Sequence, residues 1–299
     1  MEFYNLGIII KELRKKKNMS QSELCHGICS QSQISKIEKG IIYPSSILLY
    51  QLSERLGIDP NYIFALTKNK KIKYIENVKC VMRDCVKQKE YNELYEIVKK
   101  EKNENNFQSK EDKQFLLWHE AIAIYYVNGA TINAFDILNR ALKQTLSSSN
   151  FLSEKEISIM NSIAIIHAEN EDYEKSINIL KQSLINFNKI EFPREKEIKL
   201  RLIHTLTKCL HLANQYEEAI KYSEIGIKLA INMNTLYLLG ELFFEKGAIL
   251  LKVQHSNEVG LTYIKKALFI FELTERKQYI KMIKDKYIKN KNKQEIILT

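Results

Sequence analysis

Three observations predict an all-α fold. Glycine and proline are scarce, nine and three in 299 residues, which leaves few points at which a helix must break. Apolar residues recur at helical spacing along most of the chain, as in Leu6, Ile9, Ile10 and Leu13. Beyond the first quarter, segments with similar starts return periodically: Tyr91, Tyr173 and Tyr216 mark equivalent places, 82 and then 43 residues apart, so the first interval is close to two units. The predicted architecture is an N-terminal helical bundle, a right-handed superhelix of about five helix pairs, and a capping helix near the C-terminus.

The first helix carries the apolar stripe just named and ends in the basic run Arg14–Lys17. Ser20 and Glu23 form an S-x-x-E capping box that opens a second helix, with Leu24 and Ile28 on its buried side. Ser30 and Gln33 repeat the pattern as S-x-x-Q and open a third. Ile34 and Ile37 turn that helix inward, and Gly40 suits the position just past its end. A fourth helix starts near Ser45 with Leu48, Leu52 and Leu56 inside and Gly57 behind it. Asp59-Pro60 opens a fifth through Leu66.

Two short helices joined by a tight turn, the second with one apolar and one polar side, make a helix-turn-helix. Its polar side consists of Gln31, Ser32, Ser35 and Lys36. Glutamine can pair with adenine through two bonds, and lysine can reach guanine or a phosphate. Gln33 is ambiguous, because the capping box competes for its side chain. Gln21 and Lys39 are placed for phosphate.

Residues 67–78 are a basic stretch without glycine or proline and read as a linker helix. The body spans 79–290. Its second helices begin EYNELYEIVKK from Glu90, GATINAFDILNRAL from Gly129, DYEKSINILKQSL from Asp172, QYEEAIKYSEIGIKLA from Gln215 and NEVGLTYIKKAL from Asn257. A helix over about 275–289 would cap the stack, and 291–299 is a tail. No helix pair of this kind buries its apolar face alone, so stacking is required, and stacking creates a concave groove. Trp118 reads as packing between repeats.

Composition narrows the function classes. A hydrophobic share of 45% is enough for ordinary cores. No uninterrupted apolar run reaches the length of a membrane span; the longest candidate, Leu236 to Val253, is broken by Glu241, Glu245 and Lys246. The N-terminus carries Glu2 and an amphipathic pattern rather than a signal peptide, so a cytoplasmic location is expected. Five cysteines form no framework and read as thiols. Cys25 and Cys29 have no second Cys or His pair at metal-site spacing, so no metal is expected. The net charge is +10, but residues 1–66 hold eight Lys/Arg and six Asp/Glu, a surplus of only two. The motif, not the bulk charge, argues for DNA. No phosphate-binding glycine loop and no H-E-x-x-H occurs. The histidines are dispersed, with His204 and His211 on one helix face, so neither an enzyme nor a cofactor is expected.

The stretch MSQSELCHGICSQSQISKIEKGIIYPS resembles the Cro/C1-type, or XRE-type, helix-turn-helix, through its S-Q-x-x-L start, its Q-x-x-I-S-x-I-E-x-G third helix and the Y-P-S that follows. That resemblance implies dimeric binding to a partly palindromic double-stranded operator. The body looks like tetratricopeptide repeats with lengthened helices. Together with CVKQKEYNELY, FLLWHEAIAIYY and NSIAIIHAEN, the combination resembles the peptide-responsive quorum-sensing regulators of Gram-positive bacteria (the RRNPP family), and within them the PlcR-type transcriptional activators. The resemblance implies a homodimer joined through its repeats and a short signalling peptide on the concave face.

It also implies peptide-binding positions. Lys87 and Lys89 match basic positions that meet acidic peptide groups; two lysines at a helix end could equally serve its C-terminal dipole. Asn161 matches an asparagine that holds peptide backbone, a task suited to a side chain with both donor and acceptor. Thr205 stands where the PlcR type has another asparagine, and Glu241 where it has glutamine. A threonine reaches less far, and a carboxylate would repel an acidic peptide or attract a basic or hydroxylated one, so a different peptide is expected. Two other functions fit the same residues: a repeat scaffold for a protein partner with an autoregulatory DNA head, and a redox-responsive repressor using Cys25 or Cys29.

Overall fold

The computed structural model describes residues 6–67, 70–146, 151–253 and 257–288. These hold sixteen α-helices, with no strand among the described residues, and divide into two compact units, Met1–Gln88 and Lys89–Thr299. No helix among them is long and apolar enough to cross a membrane.

The first unit contains α1 (Leu6–Lys16), α2 (Gln21–Cys25), α3 (Gln31–Glu38), α4 (Ser46–Leu56), α5 (Pro60–Thr67) and α6 (Lys70–Gln88). Its starts are where the capping serines put them. Ser20, Ser30 and Ser45 each accept a bond from the backbone N–H three residues on, satisfying a donor that the helix itself leaves open. The predicted capping box of α2 is complete: Glu23 Oε2 accepts from the Ser20 N–H at 2.6 Å. Ile10, Leu24, Ile34, Ile37, Leu52, Leu56 and Ile63 are fully buried in one core, each contributing roughly 1.5–3 kcal/mol by leaving water. Ile28 departs from the expectation and is only half-buried, because α2 stops at Cys25 and Gly27, at φ 71°, turns the chain before Ile28. Arg55 of α4 holds that turn, donating to the carbonyls of Glu23 and His26 at 2.9 Å each. Residues 70–78 of the predicted linker and the first residues of the body lie on one helix, α6, while Thr67 ends α5 and residues 68–69 lie outside the described residues.

The second unit opens with α7 (Tyr91–Glu104). Four antiparallel pairs follow: α8 (Lys110–Asn128) with α9 (Thr131–Thr145), α10 (Glu154–Glu169) with α11 (Tyr173–Asn188), α12 (Glu197–Leu212) with α13 (Tyr216–Asn232), and α14 (Leu239–Lys252) with α15 (Asn257–Leu273). The described residues of this unit thus hold four pairs, with α7 preceding the first. Tyr173 and Tyr216 begin the second helix of their pairs, as the period predicts, and Tyr91 begins α7. The first helices form an inner layer: α10 touches α12, and α12 touches α14, while no comparable contact joins α11 to α13 or α13 to α15. A stack whose inner helices converge and outer helices splay is concave on the inner side. Trp118 links two repeats, its indole Nε1–H donating to Ser162 Oγ at 2.8 Å. The last helix, α16 (Lys277–Ile283), continues as a π-type turn over Lys284–Ile288; Lys289 and the tail 291–299 lie outside the described residues.

Candidate functional sites

The polar side of α3 follows from its apolar side. Ile34 and Ile37 are buried against α1 and α2, so Gln31, Ser32 and Lys36 emerge exposed and Ser35 half-exposed beside them. Lys39, just past the helix, is exposed. Gln33 is half-buried, and its backbone N–H is the one bound by Ser30 Oγ, at 3.2 Å. Gln21 is half-buried at the start of α2. Its Nε2 donates to Glu38 Oε2 at 2.9 Å, because Glu38 is buried and its carboxylate requires donors.

Glu38 is the hub that sequence reasoning missed. Arg14, at the end of α1, donates from Nε to Oε1 at 2.6 Å and from Nη2 to Oε2 at 2.9 Å, and from Nη1 to the Met19 carbonyl at 2.7 Å. Burial pushes the Glu38 carboxyl up, but the bonds from Arg14 and Gln21 outweigh it and hold the group below its ordinary range. The guanidinium is correspondingly raised, chiefly by its bond to Glu38. This fork fixes the end of α3 to the end of α1.

In the second unit, three of the implied peptide-binding residues stand on successive inner helices: Asn161 on α10, Thr205 on α12 and Glu241 on α14, each 8% exposed. Asn161 Oδ1 is buried and accepts no hydrogen bond among the described residues. Thr205 Oγ1 donates to the Arg201 carbonyl at 3.0 Å within its own helix. Glu241 is not a bare carboxylate: Arg276 Nη2 lies 3.0 Å from its Oε1. The carboxylate is thus paired with a cation 35 residues away in sequence. Nearby, His211 Nδ1 lies 2.8 Å from Glu245 Oε2. Part of the surface of His204 remains accessible, yet its ring is covered enough that desolvation pushes it below the ordinary imidazole range, against the pull of Glu245 and Glu241 and with help from Lys208. Lys87 lies in the last turn of α6. Lys89 follows it at φ 63°, and both are exposed.

The thiols do not favour a sensor. Cys25 is buried, and Cys29, half-buried, is pushed up by desolvation and then by Cys25, which disfavours its reactive thiolate.

The comparisons with known proteins agree with this geometry. Residues 10–63 match the helix-turn-helix family model, and residues 79–292 match the RNPP family C-terminal domain. No curated protein matches the chain in sequence. Among solved structures, Bacillus thuringiensis PlcR in complex with the peptide PapR7 and DNA is 27% identical with a TM-score of 0.83, over 94% of this chain and 99% of that one. The apo form of the same protein is 26% identical with a TM-score of 0.65, over 95% and 99%. The Streptococcus dysgalactiae SHP pheromone receptor Rgg2 shares the fold at 17% identity, with a TM-score of 0.66 over 95% and 99%. A helix-turn-helix unit, a stack of helix pairs with a polar inner face, and a family model covering most of the chain give one conclusion: the chain belongs to the RNPP family, as a PlcR-type member.

Proposed function

We propose that the chain is a sequence-specific DNA-binding transcriptional activator, acting in the cytoplasm as a homodimer and controlled by a short signalling peptide. Residues 1–66 would be the DNA-binding head, 67–78 the linker, 79–290 the regulatory and dimerisation part and 291–299 a tail. Gln31, Ser32, Gln33, Ser35 and Lys36 read bases, and Gln21 and Lys39 hold the backbone, Gln21 through what its bond to Glu38 leaves free. Lys87, Lys89, Asn161, Thr205 and Glu241 meet the peptide, Glu241 as one half of an ion pair.

The observation that carries the peptide reading is Asn161. A buried carbonyl oxygen without a donor is costly, and an extended peptide crossing the inner helices offers backbone N–H groups. Control needs only that the peptide bind the DNA-competent dimer better than the other form, by the free energy of the shift it causes. The test is operator binding by the full-length protein, with and without a synthetic peptide copied from the tail of a neighbouring short secreted reading frame. The peptide should change operator affinity, and Lys87→Ala with Lys89→Ala should weaken peptide binding while leaving the dimer intact. Operator affinity indifferent to every such peptide would turn the reading toward a protein scaffold.

A further inference from the structure

One end of the inner face is built as a charge pair anchored from outside the repeats. Glu241 and Glu245 lie on α14, 8% and 9% exposed. Two carboxylates this close to burial need compensation, since an isolated buried charge is expensive. Glu245 has His211 beside it, and Glu241 has Arg276, the residue at which α16 begins.

Arg276 is held there rather than drifting at the surface. Its guanidinium carbon sits 5.2 Å from the centre of the Tyr279 ring, and Tyr279 stacks on Phe271 with centroids 4.5 Å apart and planes 17° from parallel. Phe271 is 1% exposed and belongs to the core that α14, α15 and α16 share. The arginine side chain is 40% exposed even so. One nitrogen is spent on Glu241, while a guanidinium carries five N–H donors in a rigid fork. The capping helix thus adds to the end of the groove a cation that the repeats themselves do not supply.

We propose that Arg276 is a specificity-determining residue of the groove. By holding Glu241 as an ion pair, it offsets the charge of that carboxylate, and so admits peptides that carry an acidic side chain. With Arg276 absent, the same position presents a near-buried carboxylate that rejects acidic peptides and selects basic ones. The inference rests on the reading of the inner face as a peptide groove.

The experiment uses the full-length protein and two fluorescent heptapeptide pools of equal, otherwise apolar composition, one carrying a single Glu and the other a single Lys at each position in turn. Wild type is expected to bind the Glu pool at least as well as the Lys pool. Arg276→Gln should move the ratio of affinities toward the Lys pool by about tenfold, the size expected for one desolvated like-charge contact. Glu241→Gln combined with Arg276→Gln should return the ratio to that of wild type, a rescue that a merely structural role for Arg276 would not give. If Arg276→Gln does not fold, Glu241→Gln tests the same unit from the other side and should raise preference for the Glu pool. A ratio unmoved by either single variant, or a double variant that stays shifted, overturns the proposal alone. Failure of wild type to bind either pool overturns the groove reading together with it.

Discussion

Arg14 and Glu38, 24 residues apart, meet through two near-parallel bonds of 2.6 and 2.9 Å inside the N-terminal unit. The pair is 8% and 5% exposed and ties the last turn of α1 to the last turn of α3. Breaking such a pair from one side leaves an uncompensated buried charge. Glu38→Ala or Arg14→Ala should therefore cost the unit about 3–5 kcal/mol, measured as a shift in its denaturant midpoint. The pH dependence has a definite sign. Glu38 is held below its ordinary range, so the unfolded chain takes up the proton first. The stabilisation is complete above the ordinary glutamate range and is lost as pH falls through the lower, folded value. In Glu38→Gln, stability should be lower near neutral pH and fall less steeply in acid.

Gln31 and Lys36 of the proposed reading face are exposed, so their loss should be visible in binding and not in folding. Gln31→Ala should cost about 1–3 kcal/mol of operator affinity and relax preference at one base pair. Lys36→Ala should weaken binding and, if the lysine sits on phosphate, reduce the salt slope by about one. Both variants should melt with wild type. Anisotropy titrations at several salt concentrations separate the two roles, and unchanged affinity in both would remove α3 as the reading helix.

How much of this was legible in the sequence depends on range. The caps at Ser20, Ser30 and Ser45, the inward Ile34 and Ile37, and the repeat marked by Tyr91, Tyr173 and Tyr216 are local signals. They repeat within a few residues or at a fixed period, so the chain displays them directly. The Arg14–Glu38 fork, the inward turn of Gln21 and the pairing of Glu241 with Arg276 are long-range. Each depends on where a distant charge arrives after folding, and nothing near Glu241 announces an arginine 35 residues on. Ile28 shows the same limit at short range: its spacing from Leu24 suits a helix, but the helix ends before it.

Gly7 is another such case, an unremarkable glycine in an amphipathic stripe. A Cβ placed on it would lie 1.9 Å from the Ile37 carbonyl oxygen and 2.9 Å from its carbon. The obstacle is the backbone of α3, which cannot rotate away. Gly7→Ala should destabilise the first unit by more than ~3 kcal/mol, at the top of the overpacking range, and weaken operator binding by displacing α3. Gly40, at φ 72° with open space around it, is the control: Gly40→Ala meets only the left-handed backbone penalty of about 1–2 kcal/mol. Equal effects at the two positions would contradict the close approach of α1 to α3.

Asn161 separates folding from function most cleanly. In most cores, removing a polar side chain breaks a bond; here Oδ1 has none to lose among the described residues. Replacing an unsatisfied buried acceptor with an apolar group of similar size removes a desolvation cost, so Asn161→Leu should leave stability unchanged or raise it by up to ~1–3 kcal/mol. A peptide whose backbone N–H relied on that oxygen would instead lose affinity, by about tenfold or more for one well-placed bond. Two measurements on one variant are required: a denaturation curve of the full-length protein, and an anisotropy titration with the activating peptide. A more stable protein that binds the peptide poorly fits an asparagine kept for its ligand. A less stable protein with unchanged peptide affinity would assign Asn161 to the framework of α10 and take it out of the groove.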